Sequence, residues 1–119
     1  MKKNELMAKG CPLGKAMAEL GSKWKPIIIL AIQDRKIRFG ELAAKINVIS
    51  RKVLTDQLRE LETDELIIRE EFKEIPPRVE YSLTEKGIAL LPIFSQLEEW
   101  EQQFQKKGNL YDENFTFLE

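Results

Sequence analysis

Apolar residues recur at helical spacing in the first part of the chain. The first set shares one helix face: Leu13, Ala16, Met17 and Leu20. Pro12 suits the first turn of this helix, and Gly21 and Ser22 end it. A second helix is predicted over residues 25–32, with Pro26 in its first turn. Because this segment is apolar nearly all round, we expect it to be the buried central helix.

A third and a fourth helix are predicted to follow. The third has one apolar face, formed by Leu42, Ala43 and Ile46. Arg38 and Phe39 either form a minimal strand before it or lead straight into it, and Asn47 breaks it. The fourth begins with Ser50 as N-cap, and its apolar stripe has the spacing i, i+4, i+7: Leu54, Leu58 and Leu61. About three residues join the two helices, which is short enough for a helix-turn-helix.

The apolar period changes after the fourth helix. Residues 66–72 and 78–83 are rich in Ile, Val, Tyr and Phe, and they predict two strands. Two prolines stiffen the connection, residues 73–77. Thr84 is predicted to cap a last long helix that runs to about residue 106 and is kinked at Pro92.

The order of elements is therefore four helices, a hairpin and a long helix. This is a mainly α fold with a small β-hairpin, a winged helix-turn-helix with added helices at both ends. A length of 119 residues fits one compact domain, which we assign to residues 1–107. The remaining tail, residues 108–119, is expected either to be partly disordered or to dock through its apolar residues, Phe115, Phe117 and Leu118.

Composition narrows the classes of function. The chain has one cysteine and no histidine, so we expect no intrachain disulfide and no metal site, and the commonest general base is missing. We therefore expect neither an enzyme nor a cofactor. The longest aliphatic run, residues 27–32, is far shorter than the roughly 20 residues that span a bilayer. No apolar stretch typical of a signal peptide follows Lys2 and Lys3, so we expect a cytoplasmic protein without a membrane partner.

Charge is divided unevenly along the chain. The first 59 residues carry 13 Lys/Arg and 5 Asp/Glu, whereas the last 60 carry 6 and 15. This division predicts either a basic surface for a polyanion or two blocks of ordinary solvated charge.

The polar face of the fourth helix suits contact with DNA. With Leu54 directed into the core, a turn of about 100° per residue directs Lys52, Asp56 and Arg59 outward. Cations on this face would bind phosphate, and a hydroxyl would contact a base edge. The candidate DNA-binding residues here are Ser50, Arg51, Lys52, Thr55 and Arg59. Asp56 either pairs with Lys52 or accepts from a cytosine amino group. The alternative is a solvated amphipathic helix.

The hairpin tip adds further cations. Lys73 and Arg78 flank the Pro-Pro pair and suit insertion beside a minor groove, where the narrow negative channel favours cations. Glu74 lies there too, so the tip is not purely basic. Arg38, ahead of the third helix, completes the candidate DNA-binding residues. A plain surface hairpin is the alternative.

The last helix carries more apolar residues than one small domain readily covers. They are Leu90, Leu91, Ile93, Phe94, Leu97, Trp100 and Phe104. They predict either a dimer interface or a core within the domain.

Motifs across residues 8–104 occur in a specific combination. They include Cys11-Pro12, Gly21-Ser22-Lys23-Trp24, Arg38-Phe39-Gly40-Glu41-Leu42 and Pro76-Pro77-Arg78-Val79-Glu80-Tyr81-Ser82-Leu83-Thr84. This combination resembles the HxlR-type regulators, a family related to the MarR group. Two turn glycines of the family are replaced here, by Glu65 and Arg35. A positive φ at such a turn costs a non-glycine residue about 1 kcal/mol.

The resemblance implies a dimeric, DNA-binding transcription factor, of a kind often responsive to electrophiles, oxidants or other small molecules. It implies a homodimer built from the first and last helices, for which the interface residues are Leu13, Met17, Leu90, Phe94, Leu97, Trp100 and Phe104. A two-fold dimer implies a pseudo-palindromic operator with half-sites about 10 bp apart or a multiple of that. The alternative is a winged-helix adaptor that binds protein partners without specific DNA readout.

Cys11 is the candidate redox-sensing residue. It precedes Pro12, so its sulfur is expected near a helix N-terminus, where the partial positive charge favours the thiolate. HxlR-type regulators that sense reactive species use a cysteine at this place, and the resemblance extends that role to Cys11. With one thiol per chain, oxidation would end in an intersubunit disulfide, a mixed disulfide or an electrophile adduct. The alternative is a small residue buried at the dimer contact.

Overall fold

A computed structural model of the chain describes residues 10–105. Within this range the elements in chain order are α1 (Pro12–Glu19), α2 (Trp24–Ile32), β1 (Ile37–Arg38), α3 (Phe39–Ile46), α4 (Arg51–Thr63), β2 (Ile67–Phe72), β3 (Arg78–Leu83), α5 (Glu85–Ile88) and α6 (Leu90–Gln103). The architecture is mainly α with a small antiparallel sheet, as predicted. The predictions made for the tail at 108–119 lie outside the described residues.

Helix α2 forms the centre of the core, as its apolar sequence predicts. Ile28, Ile29 and Ile32 on this helix are fully buried. The other fully buried large side chains come from α3, α4 and the start of the hairpin: Leu42, Leu54, Leu61 and Leu66. Each such burial stabilises the fold by about 1.5–3 kcal/mol relative to an exposed side chain. The core therefore fixes α3 and α4 against α2.

The sheet has three strands in the order β1-β3-β2, all antiparallel. Ile37 pairs with Tyr81, and Arg38 pairs with Glu80. The sequence predicted either a minimal strand at this segment or a direct start of the third helix. Both occur, because a two-residue strand runs directly into α3 at Phe39. The hairpin pairs in register from Ile67 with Leu83 at its base to Phe72 with Arg78 near its tip.

The C-terminal helix differs from the prediction in where it is interrupted. Instead of a kink at Pro92, the helix breaks at Ala89, between α5 and α6. Proline lacks an N–H group, so the carbonyl of Ile88 loses the donor that a residue four positions later would supply. The proline therefore interrupts the helix about one turn before its own position.

Glu65 and Arg35 stand where the family has turn glycines, and only Glu65 has the positive φ that such a glycine allows. Glu65 has a φ of 59°, in the left-handed region that favours glycine. In the other turn the positive φ, 60°, falls on Gln33 and not on Arg35. The Arg35 guanidinium instead donates to the carbonyl of Ala31 at 3.1 Å, which satisfies an acceptor at the end of α2.

Candidate nucleic-acid interface

The start of α4 is fixed by its N-cap. The Ser50 hydroxyl accepts a hydrogen bond from the Val53 N–H at 3.1 Å, and Ile49 before it is buried. Such a cap stabilises a helix by about 1 kcal/mol. The turn from α3 begins at Asn47, whose φ of 71° reverses the chain. These contacts fix the first residue of α4 and therefore the positions of Arg51 and Lys52 in its first turn.

The two faces of α4 separate as the spacing predicts. Leu54, Leu58 and Leu61 are buried. Arg51, Lys52 and Arg59 are exposed, and Thr55 is half-buried.

Two of these polar residues are held by neighbours on the same helix. The Lys52 Nζ lies 2.9 Å from a carboxylate oxygen of Asp56, so the predicted ion pair is formed. The Thr55 hydroxyl donates to the Arg51 carbonyl at 2.8 Å, which leaves its oxygen as an acceptor. The Arg51 guanidinium lies 5.5 Å from the centre of the Phe39 ring, a cation–π contact with α3.

The back of α4 is tied to the start of α2 by two polar contacts. The Ser22 hydroxyl donates to the Gln57 side chain. Lys25 is the one buried charged residue in the described part of the chain, and its Nζ lies 2.7 Å from a carboxylate oxygen of Glu60. These contacts were not predicted from the sequence, although Gln57 and Glu60 share a helix face at spacing i, i+3. They restrict how far α4 can turn about its axis.

A polar cleft of about 320 Å³ lies between α4 and the sheet. It is lined by Phe39, Thr55, Leu58, Arg59, Glu62, Arg69 and Tyr81. A side-chain hydrogen bond with Tyr81 raises the pKa of the Arg69 guanidinium. Arg69 was not among the residues predicted from the sequence, but the alternation of β2 places it on the face of Ile67, toward α4.

Arg78 is engaged within the hairpin. Its guanidinium lies 4.1 Å from the centre of the Phe72 ring and 3.1 Å from a carboxylate oxygen of Glu74. Its Nε lies 3.4 Å from a carboxylate oxygen of Glu80. The side chain is only 25% exposed, so these contacts hold it against the hairpin, and its predicted contact with DNA stays a prediction. Lys73 at the tip is exposed, and so is Arg38 before α3.

The predicted interface residues fall into two groups. The more exposed group comes from α1, α6 and the residue that follows α6, and each member is more than half exposed: Leu13, Met17, Leu97, Trp100 and Phe104. Phe94, in contrast, is 5% exposed and belongs to the hydrophobic core, and Leu90 packs against that core. The assignment of Phe94 to the dimer surface is therefore corrected, because Phe94 lies about 60° round α6 from Leu97 and about 120° from Trp100 and is covered by its own chain.

Cys11 occupies the N-cap position of α1, next to Pro12, and is partly buried. Its carbonyl accepts from the Lys15 N–H at 2.9 Å, so the residue is ordered by the helix. Within residues 10–105, no group of side chains has the composition of a metal site. Among the helices described there, none has the length and apolarity needed to cross a membrane.

A buried central helix, a capped helix after a tight turn and a three-stranded wing define a winged helix-turn-helix regulator. The chain matches the model of the HxlR-like helix-turn-helix family over residues 19–109, and it belongs to that family. It is 45% identical over 94 residues to an uncharacterized HTH-type transcriptional regulator of Methanothermobacter thermautotrophicus, which covers 79% of this chain and 72% of the relative. The relatives are transcriptional regulators, and none of these comparisons indicates a catalytic family.

Solved structures share the fold. A MarR-family regulator from Porphyromonas gingivalis W83 superposes with a TM-score of 0.77 at 40% identity, covering 82% of this chain and 95% of that one. The reduced form of the regulator YodB from Bacillus subtilis gives a TM-score of 0.74 at 39% identity, covering 83% and 98%. YodB is also known in diamide-treated and quinone-bound forms, and the similar redox regulator HypR in oxidised and reduced forms.

Proposed function

We propose that this protein is a sequence-specific, double-stranded DNA-binding transcriptional regulator that acts as a homodimer. The observation that carries the proposal is the exposed face of α4, with Arg51, Lys52 and Arg59 outward and the opposite face anchored in the core. A helix held in this way can enter a major groove without losing much conformational freedom. Because a transcriptional regulator must reach chromosomal DNA, we propose a cytoplasmic location.

The homodimer is supported by apolar surface that the chain leaves uncovered. Ile93, Leu97, Trp100 and Phe104 form one stripe along α6 at spacing i, i+4, i+7, i+11, and all four are exposed. Leu13 and Met17 add exposed apolar surface on α1. A two-fold interface buries the same patch on both copies. The two α4 helices would then meet a pseudo-palindrome with half-sites about 10 bp apart or a multiple of that.

DNA binding through α4 predicts a change in the salt dependence of affinity. Lys52→Ala and Arg59→Ala are each expected to weaken operator binding by about three- to tenfold and to lower the slope of log affinity against log salt by about 1. Fluorescence anisotropy with an operator selected from random DNA, titrated at several salt concentrations, measures both quantities.

Lys86→Ala is the charge-matched control, because Lys86 on α5 contacts Glu19 and the Asp64 carbonyl. It should leave the slope unchanged. If selection recovers no preferred DNA and affinity for all duplexes is equal, the chain is better described as a protein-binding adaptor.

We also propose that Cys11 responds to oxidants or electrophiles. Support comes from its place beside the exposed face of α1 and from similar proteins known in oxidised, diamide-treated and quinone-bound forms. Diamide or quinone treatment is expected to lower operator affinity of the wild type by at least about tenfold, because a modified Cys11 would disturb the proposed dimer surface of α1. A tenfold loss corresponds to about 1.4 kcal/mol. Cys11→Ser should retain full affinity after the same treatment. Equal loss in this variant would remove Cys11 from the sensing role.

A further inference from the structure

The tip of the hairpin presents an apolar side chain to solvent. Ile75 is fully exposed, more so than any other large hydrophobic side chain in residues 10–105. It lies between Glu74 and the pair Pro76-Pro77, all of which are exposed as well. Burial in the folded chain therefore does not account for an isoleucine at this position.

The tip is held rigid from below. Arg78 stacks on Phe72 and forms ion pairs with Glu74 and Glu80, which joins both strands and the tip itself. Each proline fixes its own φ. Because the tip is preorganised, a ligand that buries Ile75 loses little binding energy to ordering it.

The surroundings of Ile75 distinguish it from the other exposed apolar residues. Those on α1 and α6 form extended faces that a second copy of the chain would cover. Ile75 instead lies in the short tip of the hairpin, two residues from Lys73, which is also exposed. An isolated apolar side chain with a neighbouring cation matches the minor groove of DNA, whose phosphates line a slot with apolar sugar walls. Proteins that bind there insert isoleucine, proline and similar side chains at base steps.

We propose that Ile75 enters the minor groove of bound DNA as an apolar contact and that Arg78 is the positioning residue that holds it there. The inference rests on the proposed DNA-binding function. Contact of this kind favours flexible pyrimidine–purine steps under the wing, since such steps open at lower cost. The wing thereby adds sequence preference at positions that α4 does not touch.

The test compares Ile75→Ala with Ile68→Ala, because Ile68 is an exposed isoleucine on β2 away from the tip. Ile75→Ala is expected to weaken operator binding about tenfold with the salt slope unchanged, because no charge is removed. Its preference for a pyrimidine–purine step under the wing should disappear. Ile68→Ala should bind within about twofold of wild type. Wild-type affinity and step preference in Ile75→Ala would overturn the proposal.

A double-mutant cycle tests the role of Arg78. If Arg78 acts through Ile75, Arg78→Gln weakens binding in the wild-type background but has little further effect in Ile75→Ala. Fully additive losses, with a salt slope lowered by about 1 in Arg78→Gln, would instead mean that Arg78 binds phosphate directly. Binding of the wild type to its operator is measured in the same series, so failure of DNA binding altogether is distinguishable from failure of the Ile75 contact.

Discussion

Replacing Leu97 with glutamate is expected to make the protein monomeric and to lower its affinity for a pseudo-palindromic operator by at least about 100-fold. Leu97 lies in the middle of the exposed α6 stripe and is 54% exposed within one chain, so the variant should fold normally. In a two-fold interface the change buries two carboxylates in apolar surroundings, which is strongly unfavourable. The linked binding of two recognition helices is then lost. Light scattering during gel filtration measures the mass, and anisotropy measures the affinity.

Ser95→Glu is the matched control, because Ser95 is exposed on the opposite side of the same helix. It adds the same carboxylate and should leave both the mass and the affinity unchanged. A Leu97→Glu protein that remains dimeric would show that the copies associate through another surface.

The second large effect is expected at Gly87, where α5 approaches the hairpin. A Cβ at this position would overlap the carbonyl oxygen of Leu66 and lie 3.2 Å from the Leu83 Cβ. The carbonyl of Leu66 also accepts from the Thr84 N–H at 3.1 Å, so it cannot move without loss of a hydrogen bond. Gly87→Ala is expected to lower the free energy of unfolding by about 3 kcal/mol or to prevent folding. In a domain of this size that corresponds to a Tm lower by roughly 10–20 °C.

Gly40→Ala is the control for Gly87→Ala, and it is expected to raise the stability that thermal unfolding measures. Gly40 lies in α3, and no neighbouring atom would come within 4 Å of an added Cβ. Alanine in a helix is favoured over glycine by about 0.5–1 kcal/mol, so this variant should be slightly more stable than wild type. If thermal unfolding ranks the two variants equally, the close packing of α5 against the hairpin is not present in solution.

Local patterns in the sequence were sufficient to predict the elements that carry the site. The Ser50 cap and the Leu54 stripe depend on interactions within a few residues, so spacing alone fixes the start and the buried face of α4. The hairpin follows from the change of period and from the two prolines in its connection. The positive φ of Glu65 was indicated by the family resemblance and not by a local pattern, because the family has a glycine at this turn.

Contacts between distant residues were not predictable in the same way. Spacing placed Phe94 and Leu97 on one apolar helix but could not separate the side that faces α2 from the side that faces solvent. Arg78 has the charge of a DNA-binding residue, yet Phe72 and Glu80 on the paired strands hold it within the wing. Lys25 and Glu60 are 35 positions apart, and only the packing of α2 on α4 brings them together.

The central claim is that two copies of α4 contact one DNA site at a fixed separation, and the spacing of the half-sites tests it most directly. The affinity of the wild-type protein is measured for the selected operator and for a version with about 5 bp, half a helical turn, inserted between the half-sites. We predict that the insertion lowers the affinity by at least about 100-fold, because the second recognition helix then faces the wrong side of the duplex. Undiminished affinity for the lengthened site would contradict paired binding.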